Sequence, residues 1–424
     1  MGTSDARGGR AAENENGAPA ATVVESIKPD RYAYKAVLAS SVGYAMDGFD
    51  FLILSFALSA ITASLSLSGA QAGSLATITL AGAVIGGIVF GVLSDYFGRI
   101  RLLSLTILIF AVFTALTGIS QSYGEIAVFR FIAGLGLGGE FGIGMALVAE
   151  AWPAAYRARA TSLVALGWQA GVLLAAVVST ALLPVIDWRG LFIVGAAPAL
   201  FAWFVRLWVQ DPELFIEQKD RERQSFPARL LIKDAATTKA SIGVFILCAI
   251  QNFGYYGLII WLPTYLESTF GYSIVQTGVW TGVTILGMAA GIIMFGVLAD
   301  RFGRRPLFWA FQAGAALSVV AYSQLTTPLA LLIGGAIVGV FVNGMLGGYG
   351  ALMAELYSTE ARATAENVLW NLGRAVGGLG PLVIGALAGV YGFSAVIAML
   401  AIIYVIDMIA TATLIPERRG APLT

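Results

Sequence analysis

Histidine is absent from this chain, and cysteine occurs once, at Cys248. Without an imidazole, a proton exchanged near neutral pH must sit on a carboxylate that burial keeps from ionising at its usual pH. A lone thiol excludes an internal disulfide and a cysteine metal cluster. Charge is also scarce: Asp, Glu, Lys and Arg make up 12% of the 424 residues, well below the roughly 25% of an average soluble domain. The 25 acidic and 25 basic residues cancel, and no nucleic-acid partner is expected. With no histidine base, metal-ligand cluster or nucleotide loop in the sequence, neither an enzyme nor a bound cofactor is expected.

What the chain has is grease. Hydrophobic residues make up 58% of it, and the mean hydropathy is +0.82. Apolar runs of about 20 residues, the length that crosses a bilayer core as helix, recur with short polar breaks. Twelve are predicted, at 35–64, 71–94, 102–121, 124–150, 158–183, 189–210, 239–268, 273–299, 306–324, 328–355, 361–389 and 392–415. The expectation is an all-α membrane protein of twelve transmembrane helices in two pseudo-symmetric six-helix bundles, 35–210 and 239–415. Residues 1–34 read as a disordered polar tail without the apolar core of a signal peptide. Residues 211–238 read as a linker, and 416–424 as a second tail. Arg130 and Arg374 fall inside spans and Arg189 at the 5–6 loop; the other Lys and Arg residues lie in the tails or in loops leading from even to odd spans. By the positive-inside rule both termini are cytoplasmic, in a plasma membrane, most simply a bacterial inner membrane.

The two halves repeat one another. GVLSDYFGR at 91–99 returns as GVLADRFGR at 296–304, an offset of 205 residues that also pairs Glu150 with Glu355 and Arg157 with Arg362. These motifs resemble the major facilitator superfamily over about residues 35–415. Its loop signature G-x-L-x-D-R-x-G-R is met by Gly91, Leu93, Asp95, Gly98 and Arg99, with Tyr96 in the usual Arg place; the second copy supplies Asp300, Arg301, Gly303 and Arg304. The resemblance implies that Asp95, Arg99, Glu150 and Arg157, with Asp300, Arg304, Glu355 and Arg362, latch helix ends in one conformation of a transport cycle. Glycines four apart in span 4 (Gly134, Gly138, Gly142), with Gly82, Gly86 and Gly87 in span 2, suit close helix contact.

Six ionisable residues fall well inside spans: Asp47 and Asp50 in span 1, Arg130 and Glu140 in span 4, Arg374 in span 11 and Asp407 in span 12. Each would cost on the order of 2.5–3.5 kcal/mol facing lipid at the bilayer centre, so they must face a cavity or one another. Four acids against two bases leave carboxylates to be neutralised by protons for part of a cycle. Asp47 and Asp50 are three residues apart, on one helix face. Arg374 offers a fixed fork of donors suited to a carboxylate ligand, or else a permanent partner for an intramembrane acid. Asn252, Tyr255 and Tyr256 in span 7, Gln169 in span 5, Asn343 and Tyr349 in span 10 and Asn371 in span 11 could add neutral hydrogen bonds, or could be bundle contacts. Asp407 reads as a packing or interfacial residue.

D-G-F-D at 47–50 and R-F-I-A-G-L-G-L-G-G-E at 130–140, with the E-A-W-P that follows, resemble the proton-coupled organic acid symporters of the superfamily, of aromatic acid or sialate and lactate type. That resemblance implies Asp47, Asp50, Arg130 and Glu140 for proton coupling. The expected partners are a small organic anion, a proton and the lipid bilayer, with one copy of the chain sufficient. A sugar or polyol carrier and a metabolite exporter of the same fold are the rivals. A membrane sensor would need a signalling domain, for which there is no room. The repeat fails where function would sit: Asp47 maps to Asn252, Asp50 to Tyr255, Glu140 to Met345 and Gln169 to Arg374. Proton handling is thus expected in the first half and anion binding mainly in the second.

Overall fold

The computed structural model describes residues 29–206, 209, 211 and 227–420. The polar tail up to residue 28, most of the 211–238 linker and the last four residues lie outside the described residues. Among the described residues every regular element is a helix. Ten stretches are long and apolar enough to cross a membrane, and two features bring the spans to twelve. Arg157–Arg206 is one stretch on hydrogen bonding alone, but at about 75 Å it would cross a bilayer more than twice. It breaks at Asp187, whose φ of 59° and ψ of 172° take it out of the helix; its carboxylate accepts the Trp188 N–H. Spans 5 and 6 lie on either side. Span 9, Arg304–Ser323, is more polar than its neighbours because it opens on two arginines and carries a buried Gln312.

The repeat extends to the chemistry of the helix ends. Span 2, Gly69–Phe97, starts on a reciprocal capping box of Ser68 and Gln71. Span 8, Ile274–Phe302, starts on the same box built from Ser273 and Gln276, at the same 205-residue offset. Both then end on a glycine in a region closed to other residues: Gly98 at φ 106° and Gly303 at φ 100°. Span 7, Ala235–Phe270, begins on Asp234, which accepts the Thr237 N–H at 2.7 Å; those hydrogen bonds hold the Asp234 carboxyl below its ordinary range.

Spans 2 and 4, the latter Tyr123–Ala151, pack backbone to backbone. A Cβ on Gly138 would sit 1.8 Å from the Ala83 carbonyl oxygen and 2.6 Å from the Gly87 nitrogen. Both obstacles are main chain and cannot swing aside. Gly138→Ala is therefore expected to destabilise the fold by more than the usual 1–3 kcal/mol of an overpacked core, read as a fall in thermal unfolding temperature or a loss of folded protein in membranes. Gly142 and Gly87 do something else: they receive the side chains of Asn367 and Asn371 from span 11 in the opposite half.

Two helices of the second half are interrupted near the middle. Span 10 runs Pro328–Gly344, passes through a 3-10 turn at Met345–Gly348 and resumes as Tyr349–Leu356. Span 11 runs Arg362–Gly377 and resumes at Gly380–Tyr391, where Gly377, Gly378, Gly380 and Pro381 weaken the helix. The halves meet along spans 2 and 11 and along spans 5 and 8. One apolar core runs through both, from Tyr44, Phe141 and Trp168 to Tyr349 and Trp370.

Candidate functional site

At the end of the bundle that carries the basic loops, each repeated motif reaches into the other half. Asp95 Oδ2 accepts the Thr364 N–H at 2.8 Å and its hydroxyl at 2.5 Å. It thereby caps the first turn of span 11, whose own N-cap position is an alanine, Ala361. Asp300 does the same for span 5, accepting the Ala158 and Arg159 N–H groups at 3.1 and 3.2 Å. Glu150 Oε1 holds Arg99 at 3.1 Å and Arg362 at 2.7 Å. Glu355 Oε1 holds Arg304 at 2.8 Å and Arg157 at 3.0 Å. Arg99 also pairs with Asp95, and Arg304 with Asp300 at 3.3 Å. All eight residues named from the motifs thus meet in two related, buried clusters that tie the halves together at this end.

Deeper in, a narrow cavity of about 20 Å³, room for little more than a water molecule, lies between the halves, lined by Tyr44, Trp168, Gln251, Asn252, Tyr255, Tyr256, Asn343, Leu346, Trp370 and Arg374. Phe141 stacks on Trp370 across the halves toward the latch end, ring centres 4.2 Å apart. On the far side, Phe51 meets Tyr256 at 6.3 Å, and Trp168 donates to the Tyr255 hydroxyl at 3.1 Å. Arg374 projects into this aromatic box and lies over the Trp168 ring at 5.4 Å. Asp47, from the first half, approaches it with Oδ2 3.8 Å from Nη2. That is an ion contact too long for a hydrogen bond, and both Asp47 oxygens lack a hydrogen-bond partner, as does Arg374 Nε. Across the cavity, Gln251 donates to Asn343 Oδ1 at 2.9 Å, leaving Gln251 Oε1 and Asn343 Nδ2 unpartnered. The box thus presents unused charge at one place, unused amide groups at another, and flat apolar faces between.

Asp50 is in a different situation from Asp47. Arg130 grips it with two nitrogens, Nη1 to Oδ1 at 3.2 Å and Nη2 to Oδ2 at 2.5 Å, and Thr114 donates to Oδ1 at 2.5 Å. Thr79 lies at 3.5 Å from Arg130 Nε, and Phe192 faces the guanidinium at 5.7 Å. Span 1 is thereby tied to spans 2, 3, 4 and 6 by a closed polar knot. Glu140, also buried, accepts the Thr106 hydroxyl at 2.8 Å and lies within Coulombic reach of Asp47.

Of the neutral groups predicted for the site, Asn252, Tyr255, Tyr256 and Asn343 line the cavity. The other three are placed differently. Tyr349 donates to the Leu247 carbonyl at 2.8 Å, inside the second half. Asn371 donates to the Gly138 carbonyl at 3.1 Å and so pins span 11 on span 4. Gln169 is buried beside Tyr255, while its neighbour Trp168 takes the cavity position. Asp407 is buried among Gln312, Cys248, Tyr349 and Tyr404, inside the second half. The sequence reading missed Tyr44, Trp168, Gln251 and Trp370. Tyr44 lies three residues before Asp47 and Trp370 four before Arg374, so helical spacing from the buried charges would have found both.

The comparisons with known proteins agree with this architecture. The family model of the Major Facilitator Superfamily matches residues 40–291 and 266–424. A Haemophilus influenzae chain described only as a metabolite transport protein is 59% identical, covering 93% of this chain and 99% of its own length. The cis,cis-muconate transport protein of Acinetobacter baylyi is 33% identical over 91% of this chain and 95% of its own. The sialic acid transporter NanX of Escherichia coli is 29% identical over 84% and 88%. The solved structure of the proton:xylose symporter XylE superposes with a TM-score of 0.78 over 92% of this chain and 98% of that one, at 17% identity, which speaks to fold alone. With its paired motifs, its two six-span halves and a family match over nearly the whole chain, this protein belongs to the major facilitator superfamily of membrane transporters.

Proposed function

We propose that this protein takes up a small organic acid anion together with a proton, by alternating access across a bacterial inner membrane with both termini cytoplasmic. The observation that carries the reading is Arg374 facing an unsatisfied Asp47 across the halves, in a box of aromatic rings. A proton arriving from outside neutralises Asp47 and frees Arg374, whose guanidinium then receives the carboxylate of the substrate. Tyr44, Trp168, Tyr255, Tyr256 and Trp370 cover flat faces of the anion, and Gln251 with Asn343 meets polar groups at its other end. With the charges satisfied, the bundles 35–210 and 239–415 rock about the site; the latch end, read as cytoplasmic, opens and anion and proton leave. Glu140 stands as a second acid near Asp47, and the Asp50–Arg130 knot holds span 1 in register with spans 3 and 4 as the first half moves.

That relatives carry muconate and sialic acid supports a carboxylate, and the aromatic lining favours a planar or unsaturated one over a polyhydroxylated acid. The test is uptake into proteoliposomes of aromatic, unsaturated, short aliphatic and sugar acids, beside neutral sugars, at pH 6 and pH 8. Accumulation of a planar carboxylate, faster at pH 6 and collapsed by a protonophore, is the expected result. Neutral sugar uptake indifferent to competing carboxylates would sink the reading.

A further inference from the structure

We propose that Glu366 is a proton-carrying carboxylate of the latch that joins Asp95, Arg99, Glu150 and Arg362, neutral while that latch is closed and ionised when it opens. Glu366 lies one helical turn beyond Arg362 in span 11 and is fully buried, and neither carboxyl oxygen has a hydrogen-bond partner. An ionised carboxylate without donors or a free counter-charge is among the least tolerable groups in a dehydrated interior.

Charge counting in the two latches sharpens the point. Asp95 and Glu150 balance Arg99 and Arg362, so an ionised Glu366 would be a third acid against two bases. The related latch has no such acid. There Asp300 and Glu355 balance Arg304 and Arg157, and the position equivalent to Glu366 is Thr161, whose hydroxyl donates to the Arg157 carbonyl at 3.1 Å. Its surplus group is a base, Arg159, with a side chain 44% exposed where water can hold its charge. One latch therefore carries a surplus base that water can hold; the other carries one buried acid too many.

The charged groups that act on Glu366 are Arg362 on its own helix, Glu150 from span 4, Arg99 from span 3 and Asp95 from span 2. Span 7, packed along span 11, carries no acid or base between Lys239 and Glu267; its titratable groups there are Cys248 and its tyrosines. Arg229, in the 227–232 turn, is exposed. Among the described residues no fixed group thus supplies the missing positive charge in the closed state, and a proton on Glu366 does. When water enters the opened latch the proton leaves. The new carboxylate then competes with Glu150 for Arg362 and repels Asp95 and Glu150, which holds the latch apart. Glu366, Trp370 and Arg374 follow one another at four-residue steps on one face of span 11, about 6 Å per step, placing this acid between the cavity and the latch end.

The inference rests on the alternating-access reading, but its test does not require the substrate to be known. In a Cys248→Ala background, probes attached through Phe97→Cys and Phe302→Cys, exposed equivalents in the two halves, report the width of the latch end by spin-label distances in nanodiscs without substrate. The open fraction should rise with pH by up to about tenfold per unit, the linkage of one proton. Glu366→Gln should hold the latch closed at every pH; Glu366→Leu, which suits a buried uncharged site, should do the same if the glutamine variant fails to fold. Retention of the wild-type pH response by either variant overturns the proposal. A wild-type latch that does not respond to pH overturns it too. Failure of carboxylate uptake with a normal pH response would instead count against the substrate reading alone.

Discussion

Arg374→Gln is expected to weaken carboxylate binding by at least about thirtyfold while leaving the protein folded. Arg374 is the one base lining the cavity among the described residues, and its nearest acid is Asp47 at 3.8 Å. Removing one member of a buried charge pair at a binding site costs about 2–5 kcal/mol, which spans roughly thirtyfold to several thousandfold in affinity. Lysine should not rescue it, because a compact ammonium cannot offer the parallel donors that a planar carboxylate uses, nor stack on Trp168. Fluorescence titration with a transported acid reads the affinity directly. The same substitution strips Asp47 of its only nearby base among the described residues, so the double variant Asp47→Asn with Arg374→Gln should recover any thermal stability that the single variant loses. It should not recover binding. Recovery of binding in the double variant would mean that Arg374 neutralises Asp47 and nothing more.

The fold was legible because duplication and bilayer thickness both leave their mark on sequence. The 205-residue offset that pairs the loop motifs also pairs two capping boxes and two positive-φ glycines. The length of each apolar run is set by the membrane rather than by tertiary detail. The buried charges were legible for a related reason: an Asp or Arg in a greasy helix must have a purpose. Their partners were not. Asp50 and Asp47, three residues apart in one motif, look equivalent on the page, yet Asp50 is held by Arg130 and Thr114 while Asp47 has no donor. Which of two acids on one face finds a base depends on helix rotation and on which span lies opposite, and neither is written locally. Asn371 shows the same limit, since its polarity suited either a ligand or a bundle contact and its hydrogen bond runs to a backbone carbonyl of span 4. Glu366 was overlooked because it lies close to the basic end of span 11, where charge ordinarily means solvent.

The difference between the two aspartates leads to the second large expected effect. Asp50→Asn leaves the guanidinium of Arg130 buried without its counter-charge, and breaking a buried pair from one side costs about 3–5 kcal/mol. A marked fall in thermal unfolding temperature is expected, partly reversed by adding Arg130→Gln, and any loss of transport should follow the loss of folded protein. Asp47→Asn breaks no hydrogen bond and leaves Arg374 with Tyr256, Trp168 and the cavity around it, so its unfolding temperature should stay near that of the wild type. On the proposed mechanism, what it removes is the acid that must be protonated before Arg374 is free. Accumulation driven by a proton gradient should then disappear, while exchange of labelled for unlabelled substrate, which needs no net proton movement, persists. Preloaded proteoliposomes distinguish the two processes in one preparation. Gradient-driven accumulation surviving in Asp47→Asn would move the coupling role to Glu140, the other buried acid within reach of the same guanidinium's partner. Loss of accumulation with exchange intact and the fold unchanged would place it on Asp47, because only a group that carries the proton, and not one that merely holds the bundle together, separates those two readouts.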